Sequence, residues 1–465
     1  MALGVVVLAA GQGTRMRSAT PKVLHHAAGL PLVEHVSRLA ESVGAAQIVL
    51  VVSDDALEAV RSRFGSRFGY VVQHEQRGTG HAVQQARELL AAVADEVLVL
   101  YGADPLMRRE SVARLLAVRR ETNALAAITT FTADPPTGYG RIVRDAAGAI
   151  TAIVEERDAN PTQRLIREVN QGVAVYDGAW LWSALEGVQP NAHSGEYYLT
   201  DLVALALAER GAGAVTSIHL ADADEALGVN DRVQLAQASA ILNRRTLHQL
   251  MLDGVTIVDP ASTYVDVDVQ VGVDSILLPG TSLRGQTRIG ERCEIGPNSI
   301  IENSTLGDDC RVTMSVVEQA RMDDGANIGP FGHLRKGAHL MENVHMGNFG
   351  EVKNATLGPG TKMGHFSYIG DATLGENVNI GAGTITCNFA ADGQKYRTEI
   401  GDGAFIGSDT LLRAPVSVGA GATTGAGSVV TKDVPAGSVA VGMPARVIRS
   451  QKSKIKNQNS EESSG

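Results

Sequence analysis

From about residue 265 to residue 430 the sequence repeats itself every six residues. Aliphatic positions fall at Val265, Val271, Leu277, Leu283, Ile289, Ile295 and Ile301, then at Met322, Ile328, Leu334, Leu340, Met346 and Val352. They continue through Leu357, Met363, Ile369, Leu374 and Ile380, break, and return at Ile400, Ile406, Leu412, Val418, Thr424 and Val430. Six fits neither a helix at 3.6 residues per turn nor a heptad seam at 3.5. It is the period of a β-solenoid, in which each hexapeptide forms one flat side of a coil and its aliphatic residue points inward. Gly often follows, as in Ile295-Gly296 and Ile406-Gly407, where a tight corner is expected. Strands of a sandwich recur every 8–12 residues, so seven consecutive positions at spacing six exclude that fold.

The rest of the composition agrees. Aromatic residues make up 4% and there are 51 glycines, which suits small corners. The 465 residues suggest two to four domains. A net charge of −10 argues against nucleic-acid partners and anionic membranes. No apolar run approaches the ~18 residues of a membrane span. The N-terminal segment lacks the basic flank of a signal peptide and reads as a buried strand. Cys293, Cys310 and Cys387 are odd in number and far apart, which predicts a reducing cytoplasm with neither disulfide framework nor zinc cluster.

The first half alternates strands and helices. Val5-Val6-Val7-Leu8 runs into a Gly-rich turn; a helix is expected from Leu32 to about Val43, and strands at Ile48–Val52 and Val97–Tyr101. That pattern indicates an α/β domain with a mostly parallel sheet, whose ligands sit beyond the carboxyl ends of the strands. The turn Ala9-Ala10-Gly11-Gln12-Gly13-Thr14-Arg15-Met16 fails as a dinucleotide fingerprint because Met16 occupies the third glycine's place. It fails as a P-loop because no Gly-Lys-Ser/Thr is present. It remains either a structural turn or an anion site, with Arg15 and Lys22 neutralising phosphates. From Val229 to about residue 252 no Gly or Pro interrupts an apolar stripe, so a long helix is expected, its Arg244, Arg245 and His248 forming a solvated face.

The string Leu8-Ala-Ala-Gly-Gln-Gly-Thr-Arg-Met16 with Pro21-Lys22-Val23-Leu24 resembles the sugar-nucleotide pyrophosphorylases. So do Gln73, Gly78-Thr79-Gly80-His81-Ala82, Tyr101-Gly102, Gly138-Tyr139-Gly140-Arg141, Glu155, Asn170 and Gly228-Val229-Asn230. With the hexapeptides behind them, these motifs resemble the bacterial bifunctional N-acetylglucosamine-1-phosphate uridylyltransferase/glucosamine-1-phosphate N-acetyltransferase family, over all but the last fifteen or so residues. The resemblance implies a Rossmann-like α/β nucleotidyltransferase domain over 1–228, a helical linker over 229–252, and a left-handed parallel β-helix with acetyltransferase activity over 253–450. Residues 451–465 are polar and aperiodic and read as a disordered tail.

By the same resemblance, Leu8, Ala9, Ala10, Gly11, Gln73, Gly78 and Thr79 would hold the uridine, and Tyr101 and Gly102 would complete that wall. Arg15 and Lys22 would polarise the phosphates, and Gly140, Glu155 and Asn170 would hold the sugar. Mg²⁺, UTP and acetyl-CoA are implied, as are a homotrimer, a cytoplasmic location and a place in peptidoglycan precursor synthesis. On the solenoid His365 would be the general base, suited to this because an imidazole titrates near neutral pH. Arg335, Lys353, Tyr368 and Asn379 would hold the sugar phosphate. Ala382, Asn388, Phe389, Ser408, Ala426 and Met443 would hold acetyl-CoA, with residues 386–399, which break the hexapeptide frame, forming a loop over it.

Several positions depart from the family pattern. Its motif after Tyr-Gly is Asp-x-Pro-Leu, whose Asp binds the metal with Asn230; this chain has Ala103 there and Asp104 next. An extended strand would turn Asp104 away from Asn230, which predicts weakened uridylyl transfer with a raised Mg²⁺ requirement. Gln171 stands for Thr, Phe389 for Tyr, Gly332-His333 for Ala-Arg and Lys336 for Pro. Two rival readings are a single-activity sugar-1-phosphate nucleotidyltransferase with a non-catalytic β-helix and a purely structural solenoid.

Overall fold

A computed structural model describes residues 1–192 and 194–449; the tail expected at 451–465 lies outside the described residues. The chain forms two compact units, divided between Leu242 and Asn243. The division falls inside the helix Arg232–Leu252, in the stretch from Val229 to about residue 252 where a long helix is expected.

The first unit is built on Leu3–Ala9. Val5 and Val7 pack on one face and Val6 on the other, all fully buried, as in a strand covered on both sides. Gln47–Val52 and Glu96–Tyr101 flank it in parallel, with Val7 opposite both Leu50 and Leu100. The edge strand Gly69–Val72, which the sequence reading missed, is only half-buried. Strand order runs Val215–His219, Ala126–Thr132, Glu168–Asp177, Glu96–Tyr101, Leu3–Ala9, Gln47–Val52, Gly69–Val72. Glu168–Asp177 is antiparallel to both neighbours, since the hairpin Arg141–Arg144/Ile150–Val154 precedes it instead of a crossover helix. The order reverses at Leu3–Ala9, which opens a crevice beyond the carboxyl ends of the central strands.

The second unit is a parallel β-helix of three sheets made from strands of two to four residues, the architecture of left-handed hexapeptide β-helices. Leu277, Ile295, Val312, Ile328, Met346 and Met363 stack along one sheet, fully buried. The gap in the repeat between Ile301 and Met322 is no gap in the fold. Leu306, Val312 and Val317 fill it, buried, on coils with shortened corners where Asn303, Met314 and Gln319 take positive φ. Corner glycines are required chiefly by the next coil. A Cβ on Gly347 would stand 1.9 Å from Gly364 O and one on Gly381 2.5 Å from Ser408 N, and neither has positive φ. The first coil is held by Asn243, whose Nδ2 donates to Thr263 O at 3.0 Å while its Oδ1 accepts from Val265 N at 2.9 Å.

Candidate active sites

In the first unit a cavity of about 660 Å³ opens at the carboxyl ends of Leu3–Ala9 and Glu96–Tyr101. Leu8, Ala9, Ala10, Gly11, Arg15, Lys22, Gln73, Gly78, Thr79, Tyr101 and Asn230 line it. A second cavity of about 420 Å³ is lined by Gly140, Glu155 and Asn170 and shares Thr79, Tyr101, Tyr139 and Gln171 with the first. The residues expected at the nucleotide and those expected at the sugar therefore line adjoining cavities. Gly102 lies behind the wall, its N–H donating to Leu8 O at 2.9 Å.

Local backbone features bring these groups together. Gly13 has φ 61°, and a Cβ there would stand 2.7 Å from Lys22 Cβ, so the Gly-rich turn lies directly on Lys22. Lys22 Nζ donates to Asn230 Oδ1 at 3.3 Å. Burial pushes the Lys22 ammonium pKa down, Asp104 opposes this and Arg15 adds to it. Gly78 has φ 99°, and a Cβ there would stand 2.6 Å from Tyr197 O. That close approach lets Gly80 N donate to Tyr197 O (2.8 Å) and Leu199 N to Thr79 Oγ1 (3.0 Å). A register shift between Asn170 and Ala174 carries Asn170 and Gln171 to the cavity walls. Glu155 accepts from Thr200 Oγ1 at 3.0 Å, and burial pushes its carboxyl up.

The extended strand assumed at Ala103 and Asp104 is absent. The strand ends at Tyr101, and Asp104 N donates back to Tyr101 O at 3.0 Å in a turn. Face alternation therefore stops at Tyr101, and both Ala103 and Asp104 line the larger cavity together with Asn230. Asp104 Oδ1 lies against Gly228, where a Cβ would be 2.7 Å away. Asp104 Oδ2 accepts from Gln171 Nε2 at 3.2 Å. Gln171 Oε1 accepts from Thr129 Oγ1 (2.8 Å) and Val173 N (2.9 Å), which fixes the amide with its NH₂ toward Asp104. The two departures at 104 and 171 thus form one contact. Burial pushes the Asp104 carboxyl up to about 7, against the pull of Lys22 and the Gln171 hydrogen bond. Among the described residues no group of three or more His, Cys, Asp or Glu side chains could hold a metal ion.

On the solenoid the expected residues gather around one edge. Val352 pairs with Leu334 and with Ile369, so Arg335 and Lys353 lie side by side on successive coils of one sheet, with Tyr368 on the next. Asn379 is on the neighbouring sheet, and the exposed His365 sits at the corner between the two. The same corner continues through Ala382, Ser408 and Ala426, joined coil to coil by Asp409 N→Ala382 O (2.6 Å) and Gly427 N→Ser408 O (2.8 Å). Met443 is exposed beyond them. Residues 388–397 form a short hairpin, with Phe389 bridged to Lys395. Phe389 is exposed, but Asn388 is buried and its amide donates to Asp371, which anchors the loop.

Sequence reasoning missed several neighbours. Glu351 accepts from Arg335 Nη1 at 2.7 Å; its outward register two residues before Lys353 was a readable signal. Gln76, whose Nε2 donates to Ala10 O at 3.1 Å, and Glu196 and Tyr198 line the larger cavity but belong to no motif. All three cysteines are free, and no helix among the described residues is long and apolar enough to cross a membrane.

Comparison with known proteins places both halves. Residues 5–173 match the MobA-like NTP transferase domain. Residues 397–432 match the bacterial transferase hexapeptide (six repeats), and residues 286–317 the hexapeptide repeat of succinyl-transferase. The chain is similar to the bifunctional protein GlmU of Heliobacterium modesticaldum, at 47% identity over 94% of each chain. It is similar to that of an Exiguobacterium species, at 46% over 94% of this chain and 96% of the relative. It is 43% identical to that of Streptococcus agalactiae over 95% of each. With likeness of this degree along nearly its whole length, the chain belongs to the GlmU family of bifunctional acetyl- and uridylyltransferases.

Proposed function

We propose that uridylyl transfer runs in the two adjoining cavities of the first unit and acetyl transfer at the solenoid edge around His365. The observation that carries this reading is the clustering of eleven nucleotide-motif residues on one cavity wall and of the three sugar-motif residues on the next. The sugar phosphate oxygen would attack the α-phosphorus of UTP in line, and pyrophosphate would leave. Such a step needs positioning and charge neutralisation rather than covalent catalysis. Arg15 and Lys22 would supply the neutralisation, while Glu155 and Asn170 orient the acceptor.

Bound Mg²⁺ would supply positive charge to neutralise the phosphates. Asp104 and Asn230 would be its protein ligands, and a carboxylate and an amide oxygen lining one cavity suit a hard cation that takes few protein ligands. Asp104 would thus stand in for the carboxylate missing at Ala103. With one of its oxygens held by Gln171, a raised Mg²⁺ requirement follows. The test is Ala103→Asp combined with Asp104→Ala, assayed for uridylyl transfer across a Mg²⁺ titration. A gain at low Mg²⁺ is expected; full parent activity at ordinary Mg²⁺ with no gain would overturn it.

At the edge, His365 would accept the proton of the attacking glucosamine amine, the amine would bond to the thioester carbonyl, and CoA would leave as thiolate. Arg335 and Lys353 would bind the phosphate, Arg335 dividing its guanidinium between phosphate and Glu351. Phe331, Phe349 and Phe366 are 54%, 61% and 56% exposed along this edge, and the first two stack at 5.2 Å. An open edge flanked by bare aromatics favours a homotrimer in which a neighbour closes the acetyl site. The free cysteines suit the cytoplasm. Supplying each half-reaction's substrates separately to purified protein tests the two-site reading.

A further inference from the structure

Gln73 sits at the end of Gly69–Val72, 4% exposed, its backbone fixed by donation to Val52 O at 2.9 Å. Its Nε2 lies 3.1 Å from Gly78 O and 3.1 Å from His81 Nδ1. A carbonyl oxygen only accepts, so the group facing Gly78 must be the NH₂. The second N–H then points at His81 Nδ1, which must be the bare nitrogen. Gln85 Nε2 approaches the other ring nitrogen at 3.3 Å. A neutral imidazole has one bare nitrogen, so it cannot accept from both glutamines. Gln73 is buried and closer, and the Gln85 NH₂ already donates to His81 O at 3.0 Å, so Gln73 takes the bare nitrogen. Burial and Arg77 hold the His81 pKa below its ordinary value, against the opposing pull of Glu75.

With both N–H groups engaged, Oε1 is the side-chain polar atom of Gln73 left without a protein partner on the wall of the larger cavity. We propose that His81 is a specificity-determining positioning residue: by taking one Gln73 N–H, it holds the amide so that Oε1 faces the nucleotide base and selects a pyrimidine with a donor at N3. Uracil N3 carries a hydrogen and bonds to Oε1; cytosine N3 carries a lone pair and meets it oxygen to nitrogen with no hydrogen between. This rests on the reading that Gln73 meets the base.

The experiment measures kcat/KM for UTP and CTP in uridylyl transfer. Gln73→Ala, which tests the underlying reading, should lower the UTP value at least about tenfold. His81→Leu removes the acceptor and should narrow the UTP-over-CTP ratio about tenfold, equivalent to one buried hydrogen bond of ~1.4 kcal/mol. His81→Asn places an amide oxygen where Nδ1 was and should keep the parent ratio. If Gln73→Ala lowers UTP use but His81→Leu leaves the ratio unchanged, the role of His81 is overturned. If Gln73→Ala leaves UTP use unchanged, the base is elsewhere and the proposal falls with that reading. Should His81→Leu lose all turnover, the ratio is read from His81→Asn against His81→Gln, whose oxygen lies beyond the Nδ1 position. A narrower ratio in His81→Gln supports the proposal, and equal ratios refute it.

Discussion

Replacing Asp104 by Asn should stabilise the ligand-free protein above neutral pH and leave it unchanged in acid. The folded carboxyl holds its proton up to about pH 7, whereas its ordinary value is 3.8. The parent's contribution is therefore intact below about pH 4 and is lost as pH rises through 7. At ~1.4 kcal/mol per tenfold the ionised form would cost about 4 kcal/mol. Asp104 keeps some contact with cavity solvent, so about half of that, ~2 kcal/mol, is the expected gain. For a unit of this size it corresponds to about 4–8 °C in the melting transition. Thermal scans of parent and Asp104→Asn at pH 4 and pH 8 are the assay, repeated with UTP and Mg²⁺. At pH 8 the variant should melt higher without ligand but gain less from Mg²⁺ with UTP, since it lacks the charge that favours the cation. Equal melting of the two proteins at pH 8, or an equal gain at both pH values, would refute the account of a carboxylate whose desolvation outweighs its partners. An equal Mg²⁺ response would remove Asp104 from the metal site.

Three further outcomes are expected. His365→Ala should lower acetyl transfer about 10²–10⁴-fold and leave uridylyl transfer near the parent value; equal loss of both would indicate misfolding instead. Sedimentation should give a trimer at micromolar concentration that Phe331→Asp with Phe349→Asp weakens, and a stable parent monomer would contradict the role given to that edge. Gly347→Ala should destabilise the solenoid by several kcal/mol, because its Cβ would stand 1.9 Å from Gly364 O; Gly364→Ala, where nothing lies within 4 Å of a new Cβ, should be nearly neutral, and a reversed order in urea unfolding would refute the stacking argument.

The sequence by itself determined the solenoid, because a six-residue period has one structural solution and most inward positions are read directly from the chain, those on the shortened coils at Leu306, Val312 and Val317 excepted. It also determined the central strand and the motif residues of the first cavity, since Leu8 to Lys22 is nearly continuous. Tertiary structure decided what depends on distant segments. Whether Asp104 faces Asn230 turns on where the strand ends, and a period-two argument is silent once Tyr101 closes a turn. The pairing of Gln171 with Asp104 spans 67 residues and is set by a register shift in a strand that the sequence did not reveal as antiparallel. The reason for a corner glycine such as Gly347 was likewise invisible: its own φ permits a side chain, and it is the backbone of the next coil, at Gly364, that forbids one.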